Sequence, residues 1–492
     1  MPPLEMPVLA QTRKVFSRLS TMGPHELAHR IREKGYSELE RIGVRPNDSG
    51  TSAGQNFKRY LSDTASHRFY CGHRDPLVAF RQEQFPLWIE RAVCEAERLC
   101  RHEVALLAYG TINLGTQIDW HRDPVTGRTW ERRFWADYRL ETNHTGRDAK
   151  IIHELNRHQH LPRLAKAWSF TGDERYAAEA VSQLLSWIDQ NPPRFGVNWQ
   201  SSLEIGIRSI SWLWTIFLLL PSRSFDEATA QRVGDSLFAQ LEHVHRHLSL
   251  YSSPNTHLIG EAAALFIAGL VFQDRKRPSV WLATGEAVLE EEAQKQFLDD
   301  GVHGELSSYY HCYALDFYLQ SLILAEQNEY PLPPRIRRKT GGMLKFLMHL
   351  TRPDGSVPSL GDADGGRVLA LHETDYRSTR DALCVGALVF NRRDLKYVSG
   401  TFSEDALWFL GQDSWNRYRS LKSELPRETD CIYPAAGYVI QRSGWGEQDS
   451  HLVFDFGGAR PIYRRPRPRR FIVIYALRTR QRTSGRSRYV RL

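Results

Sequence analysis

Tyr251-Ser252-Ser253-Pro254-Asn255-Thr256-His257-Leu258-Ile259-Gly260-Glu261 reads as a loop, a cap and the first turns of an apolar helix. Pro254 and Asn255 suit a helix entrance, which puts Asn255 and His257 in the first turn. The same grammar recurs on both sides. Apolar residues return at three- and four-residue steps over Leu87–Leu107, Asp148–Phe170, Arg175–Ile188, Leu203–Leu220, Asp226–Leu248, His257–Phe272, Val280–Phe297, Tyr309–Gln327, Pro334–Leu350 and Asp375–Val389. Pro, Gly and Asp cluster between these segments, as at Asn191-Pro192-Pro193 and Pro353-Asp354-Gly355. Helices of similar length, with loops and no strands between them, predict helical hairpins in a ring or bundle.

Near Asp430 the texture changes. Cys431–Arg442 reads as strand and turn, and His451–Phe456 as a second strand. The expected fold class is therefore mainly α, with antiparallel β structure beginning near the C-terminal end. The expected layout is a helical arm over 1–60, a helical domain over 61–420, first strands over 425–459 and a basic tail over 460–492.

That tail dominates the charge. Arg460–Leu492 holds 12 Arg and no acidic residue, and without it the +8 chain has 53 basic against 57 acidic side chains. The basic balance thus says nothing about the body, and nucleic-acid binding loses its main support. The six Cys form no CxxC pair, so neither a zinc module nor a disulfide framework is indicated. Met1–Leu19 shows no apolar run behind a basic start, and no signal peptide is expected. Ile205–Leu220 carries Arg208 and several Ser, and reads as a buried helix, not a membrane span. No oligomeric state follows from these features.

Three segments carry chemistry. The first is the Asn255/His257 run. The second is Asp299–Tyr313, in which Glu305, Tyr309, Tyr310 and His311 crowd a helix entrance. The third is the acidic, Gly-rich loop Asp354–Gly366. Each alone reads most simply as a cap, a packed aromatic or a turn. On successive helix entrances they would converge on one rim, and together they meet the needs of uronate β-elimination. That reaction neutralises a carboxylate, removes the C5 proton and protonates the departing O4. Asn or His can pair with the carboxylate, and Tyr can act as base, acid or both. No metal is required for this chemistry.

Ser253–Ala262 resembles the Asn/His motif of the heparinase II/III-like polysaccharide lyases, and Glu305–His311 their catalytic-tyrosine segment. Asp119–Pro124, Glu154–Leu161, Asn198-Trp199 with Glu204 and Arg208, and the Asp362–Gly366 loop agree in order. The resemblance implies an (α/α) toroid followed by an antiparallel β-sandwich, with the active site between them. Asn255 and His257 then resemble the carboxylate-neutralising pair and Tyr310 the catalytic tyrosine, with Tyr309 of the same doublet as the alternative. Trp199, Glu204, Arg208, Glu305, Tyr309 and His311 are expected as substrate-binding or cleft-wall residues. An acidic polysaccharide is the implied partner. The implied location is the periplasm or cell envelope of a bacterium, with the cytoplasm as the alternative.

Family members also carry a Gly-His-Gly-His-Ala-Asp segment that supplies a catalytic His and often a metal-binding His. Here Tyr463–Arg470 stands in its place, so the ligands of a sandwich metal expected in intact relatives are absent. The codon string TAC CGG CGG CCA CGG CCA CGC CGA would encode this stretch. Removing one C after TAC gives Tyr-Gly-Gly-His-Gly-His-Ala and the first two bases of an Asp codon. A one-base insertion near codon 463 or 464 is therefore expected, with a truncated sandwich and weak or absent activity; a genuine basic tail is the alternative. Two other functions remain open at this level. A glycoside hydrolase would need two carboxylates across the cleft, from Glu204, Glu305 and Asp362. A non-catalytic glycan binder would rely on aromatics such as Trp199 or Trp135.

Overall fold

The computed structural model describes residues 22–43, 52–73, 80, 83–138, 148–373 and 375–457, and the backbone of 472–476 and 489–490. Met1–Leu19, read above for a leader, and most of the basic tail lie outside the described residues. An arm helix, α1 (Pro24–Arg41), is followed by α2 (Phe57–Asp63), α3 (Pro86–Cys100) and α4 (Lys150–Asn156). Then come paired helices: α5 (Leu161–Thr171) with α6 (Glu174–Gln190), and α7 (Ser202–Leu219) with α8 (Glu227–Arg246). The pairs continue as α9 (Thr256–Val271) with α10 (Lys276–Gln296), and α11 (Ser308–Gln327) with α12 (Pro334–Leu350). The last are α13 (Arg380–Val389) with α14 (Arg393–Ser399), and α15 (Glu404–Leu410) with α16 (Asp413–Ser420).

The first helix of each pair packs on the first helix of the next, through α5, α7, α9, α11, α13 and α15. The ring closes where α15 returns to α5. Lys166 Nζ lies 2.8 Å from Glu404 Oε1, and Phe170 stacks on Trp408 at 5.6 Å between ring centroids. This is the helical toroid. Its inner helices α7 and α9 are predominantly apolar and buried almost throughout, since neighbours cover their faces. Ser202–Leu219 is long and apolar enough by composition to cross a membrane, but it is wholly buried in the ring. The outer helices are one-sided. α6 and α8 start at Asp173 and Asp226, whose carboxylates accept the Arg175 and Thr229 amides at 3.0 and 2.8 Å. Gly285 lets α10 approach α9 closely, since a Cβ there would lie 2.6 Å from Phe266 N.

Three boundaries differ from the sequence reading. The helix expected over Asp375–Val389 starts only at Arg380. The apolar period over 148–170 is broken into α4 and α5 by His158, at φ 56°. The period over 87–107 ends at Cys100, because His102 takes φ 57° and the chain turns into a short hairpin. Its strands, β1 (Glu103–Ala105) and β2 (Thr111–Asn113), fall in a stretch expected to lack them. Both apolar periods continue through residues whose left-handed backbone stops the helix.

The sheet is a sequential antiparallel meander of β3 (Asp430–Tyr433), β4 (Tyr438–Arg442), β5 (His451–Asp455), β6 (Ile472–Ala476) and β7 (Tyr489–Val490). The last two strands lie in the segment expected as a basic tail. Ile472-Val473-Ile474-Tyr475 is a β-branched and aromatic run, and the free edge of β5 is a template for it. The sheet docks on the end of α12. Phe346 packs edge-on against Tyr433 at 4.8 Å, and Arg442 Nη2 donates to the His349 carbonyl at 2.7 Å. The Tyr438 hydroxyl donates to the Leu306 carbonyl at 2.9 Å, which fixes the approach to α11.

Candidate active site

The entrances of α7, α9 and α11 meet at one rim of the ring. At α9, Asn255 is the cap: its Oδ1 accepts the His257 amide at 3.1 Å. Its Nδ2 faces Glu305 Oε2 at 3.4 Å, and the Thr256 hydroxyl donates to Glu305 Oε1 at 2.5 Å. Glu305 thus sits over the α9 N-terminus, where helix dipole and amides favour an anion. Burial nevertheless raises its pKa against these contacts.

At α11, Ser307 caps the helix by accepting the Tyr310 amide at 3.1 Å, and its hydroxyl donates to the Asp362 carbonyl at 2.6 Å. The acidic loop is thereby laced to the helix entrance. Leu306, just before the cap, takes φ 55°, a left-handed conformation held by the Tyr438 contact. Gly361 answers it from the loop, with φ 68° and space for no Cβ, which would lie 3.0 Å from the Leu306 oxygen.

This lacing brings Tyr310 onto Asp364. The Tyr310 hydroxyl donates to Asp364 Oδ2 at 2.6 Å, and Lys150 Nζ lies 2.7 Å from Asp364 Oδ1. Burial first, then the Asp364 hydrogen bond and charge, hold the Tyr310 phenol well above its ordinary pKa. It is a protonated hydroxyl at neutral pH. Burial would raise Asp364, but the hydrogen bonds from Lys150 and Tyr310 outweigh it and hold the carboxyl low.

Beneath the rim lies an arginine. Arg157 grips Glu204 with two bonds, 2.5 Å from Nε and 3.0 Å from Nη2, and Glu154 with a third at 2.5 Å. Burial opposes the Glu204 charge, yet Arg157 holds its pKa down to about 2. His257 is half-buried beside this group. Burial lowers its pKa first, and the Arg157 charge adds to that while Glu204 and Asp364 oppose it. The imidazole is therefore neutral at pH 7, and it hydrogen-bonds to none of the described residues. Asp364 is in electrostatic range of both His257 and Tyr310. From Asp364 and Lys150 a cleft of about 900 Å³ runs past Glu154, Gln159, Arg163 and Tyr376.

The rim thus gathers Asn255, His257, Glu305 and Tyr310. Other expected substrate contacts lie elsewhere. Arg208 is 0% exposed, held by Gln240 Oε1 at 2.7 Å and the Asn156 and Asn198 carbonyls, and stacked over Trp187. His311 is 0% exposed, with Nε2 on the Met343 carbonyl at 3.0 Å and Nδ1 accepting the His303 amide. Trp199 is 1% exposed and packs against Trp187 and His243. These three are core residues and not a ligand surface, because each lies inside the ring wall. Tyr309 is also buried, stacked on Tyr313 at 5.5 Å, and backs Tyr310 without facing the cleft. Glu204 is buried and committed to Arg157, a position behind the rim. Glu204 and Glu305 are both engaged, so they form no open carboxylate pair of the kind a hydrolase needs.

Lys150, Arg157 and Asp364 were not singled out as site residues by sequence reasoning. Asp364 belongs to a loop already noted as acidic and Gly-rich, and Gly366 was its signal. A Cβ at Gly366 would lie 2.5 Å from Arg157 Nη1.

Comparison with known proteins bears on the family and the fold. The heparinase II/III N-terminus family model matches residues 53–381. A heparin-sulfate lyase of Pedobacter heparinus is 28% identical over 262 residues, covering 52% of this chain and 36% of that protein. A heparin-sulfate lyase of Bacteroides stercoris is 25% identical over 277 residues, covering 51% and 38%. The chain thus spans well under half the length of these curated relatives. The crystal structure of heparinase III superposes with a TM-score of 0.57 at 18% identity, covering 96% of this chain and 64% of that one. At that identity the likeness concerns the fold.

Proposed function

This chain belongs to the heparinase II/III N-terminus family, and from that membership we propose that its rim cleaves 4-linked uronate polysaccharides by β-elimination. The supporting observation is the Tyr310–Asp364 hydrogen bond of 2.6 Å beside a neutral, half-buried His257. The curated relatives are named heparin-sulfate lyases, and a uronate glycan of that general kind is the proposed substrate class. Lys150, 40% exposed and lining the cleft, supplies a cationic contact for such a chain.

In the proposed reaction the Asn255 amide and the His257 N–H hydrogen-bond to the uronate carboxylate, which lowers the cost of carbanion character at C5. Tyr310 meets the substrate protonated. Its hydroxyl proton passes to the departing O4, and the same oxygen takes the proton from C5, which restores the phenol. The C4–O4 bond breaks, a C4–C5 double bond forms, and no water is consumed. Asp364 orients the phenol, and Lys150 offsets its charge. All steps use side chains of this chain. The proposed place of action is the periplasm or cell envelope.

The test uses the protein, whose turnover is expected to be weak, and a version with the reading frame restored at codon 463. Each is incubated with heparan-type, alginate-type and exopolysaccharide uronates, and the ultraviolet absorbance of the unsaturated product is followed. In the frame-restored version Tyr310→Phe should lower turnover by about 10²–10⁴-fold with substrate affinity changed only a few-fold. Saturated product ends, or normal turnover by the Phe variant, would rule the reading out.

A further inference from the structure

The end of α12 and the start of β3 bring three unlike donor side chains together, away from the rim. His349 Nε2 lies 3.6 Å from Cys431 Sγ and 3.6 Å from Glu428 Oε2. Cys431 Sγ lies 3.8 Å from that same Glu428 oxygen. The donors form a nearly equilateral triangle, too wide for strong hydrogen bonds among them. Zinc bonds of about 2.0–2.3 Å at tetrahedral angles put neighbouring donors roughly 3.3–3.6 Å apart. The triangle needs to contract by only a few tenths of an ångström to become one face of such a site.

Three further features fit. His349 Nδ1 is hydrogen-bonded to the Tyr433 hydroxyl, the kind of outer contact that fixes the ring of a metal-binding imidazole. A cleft of about 610 Å³ opens onto His349 and Glu428, leaving room for a fourth ligand. The competing cation is weakly held: Lys345 Nζ lies 2.9 Å from Glu428 Oε2, but both side chains are about half exposed, and such pairs are worth roughly 0–1 kcal/mol. The two other His-bearing clusters among the described residues are different. Arginines already fill them, Arg194 and Arg246 at 3.3 and 3.6 Å from Glu40, and Arg367 at 3.6 and 3.5 Å from Asp381 and Asp405.

We propose that His349, Cys431 and Glu428 bind one zinc ion, with the fourth position open to the adjoining cleft. A thiolate, an imidazole and a carboxylate select zinc over magnesium or calcium, which prefer all-oxygen sites. As the zinc–sulfur bond forms, the thiol proton leaves to solvent. The ion ties the last turn of α12 to the first strand of the sheet, so it fastens the sheet to the toroid. This site uses no residue of the Tyr463–Arg470 stretch, and it does not rest on the proposed lyase activity.

The experiment uses the full chain, freed of metal and titrated with Co²⁺ and with Zn²⁺. Expected are one equivalent of zinc per chain by dye competition, and a thiolate-to-cobalt charge-transfer band. That band should vanish in Cys431→Ser, and Glu428→Gln should weaken zinc binding by about 100-fold or more. Glu428 is exposed and Cys431 partly buried, and circular dichroism verifies that the variants fold. Absence of the charge-transfer band in the parent chain, or equal zinc affinity in parent and Cys431→Ser, would overturn the assignment.

Discussion

Replacing Lys166 by Met tests how the ring closes. The Lys166 side chain is 1% exposed and Glu404 is 7% exposed, so the variant strands a carboxylate in the wall between α5 and α15. Breaking a buried pair from one side costs about 3–5 kcal/mol. Trp408 Nε1 still donates to Glu404 Oε1 at 3.1 Å, which places the expected cost near the lower figure, about 3 kcal/mol. In the parent chain burial pushes the Glu404 pKa up, but Lys166 and His372 outweigh it and the net shift is down. A depressed carboxyl stabilises the fold above its unfolded pKa, and that stabilisation fades as pH falls through the folded value. Without Lys166 the sign reverses: Glu404 is raised, so lowering the pH neutralises it and relieves the strain at up to about 1.4 kcal/mol per pH unit. The Lys166→Met penalty should therefore be largest near pH 7 and shrink toward pH 5. Denaturant unfolding followed by circular dichroism at both pH values measures it. The double variant Lys166→Met/Glu404→Gln should recover much of the loss at pH 7. A penalty below about 0.5 kcal/mol, or a double variant that loses the sum of the two singles, would refute the closing role.

Asp364→Asn removes the carboxylate that accepts and orients the Tyr310 hydroxyl, so turnover should fall by about 10²-fold with KM changed only a few-fold; unchanged turnover would separate Asp364 from the reaction. Gly361→Ala places a Cβ 3.0 Å from the Leu306 carbonyl at φ 68°, and should cost about 1–3 kcal/mol in unfolding measurements together with a loss of turnover. Sequencing the coding DNA through codons 460–470 should reveal the extra base; an unbroken frame with no Gly-His-Gly-His-Ala-Asp in any shifted frame would leave the Arg-rich segment as a genuine tail.

Much of this protein is legible in its residues one after another. Apolar periods of three and four specify the helices, and their loops specify hairpins. The cap at Asn255 and the doublet Tyr309-Tyr310 are local features, so helix entrances can be read without coordinates, whereas which tyrosine of the doublet meets Asp364 is a matter of packing. Where the chain bends against its own apolar period, at His102 and His158, that reading fails, because a left-handed residue leaves the hydrophobic pattern intact.

Only the tertiary structure decides which polar residues face the cleft. Trp199, Arg208 and His311 belong to the same ordered segments as His257 and Tyr310, yet they point into the ring wall, and no linear pattern separates the two sets. The same holds for partners distant in sequence. Tyr310 finds Asp364 across 54 positions and Lys166 finds Glu404 across 238, because loop lacing at Ser307 in the first case and ring closure in the second, not local propensity, bring those side chains together. The sequence by itself determines the helices and the chemistry on offer. Which of that chemistry is exposed, and which is spent on holding the toroid shut, is settled by packing.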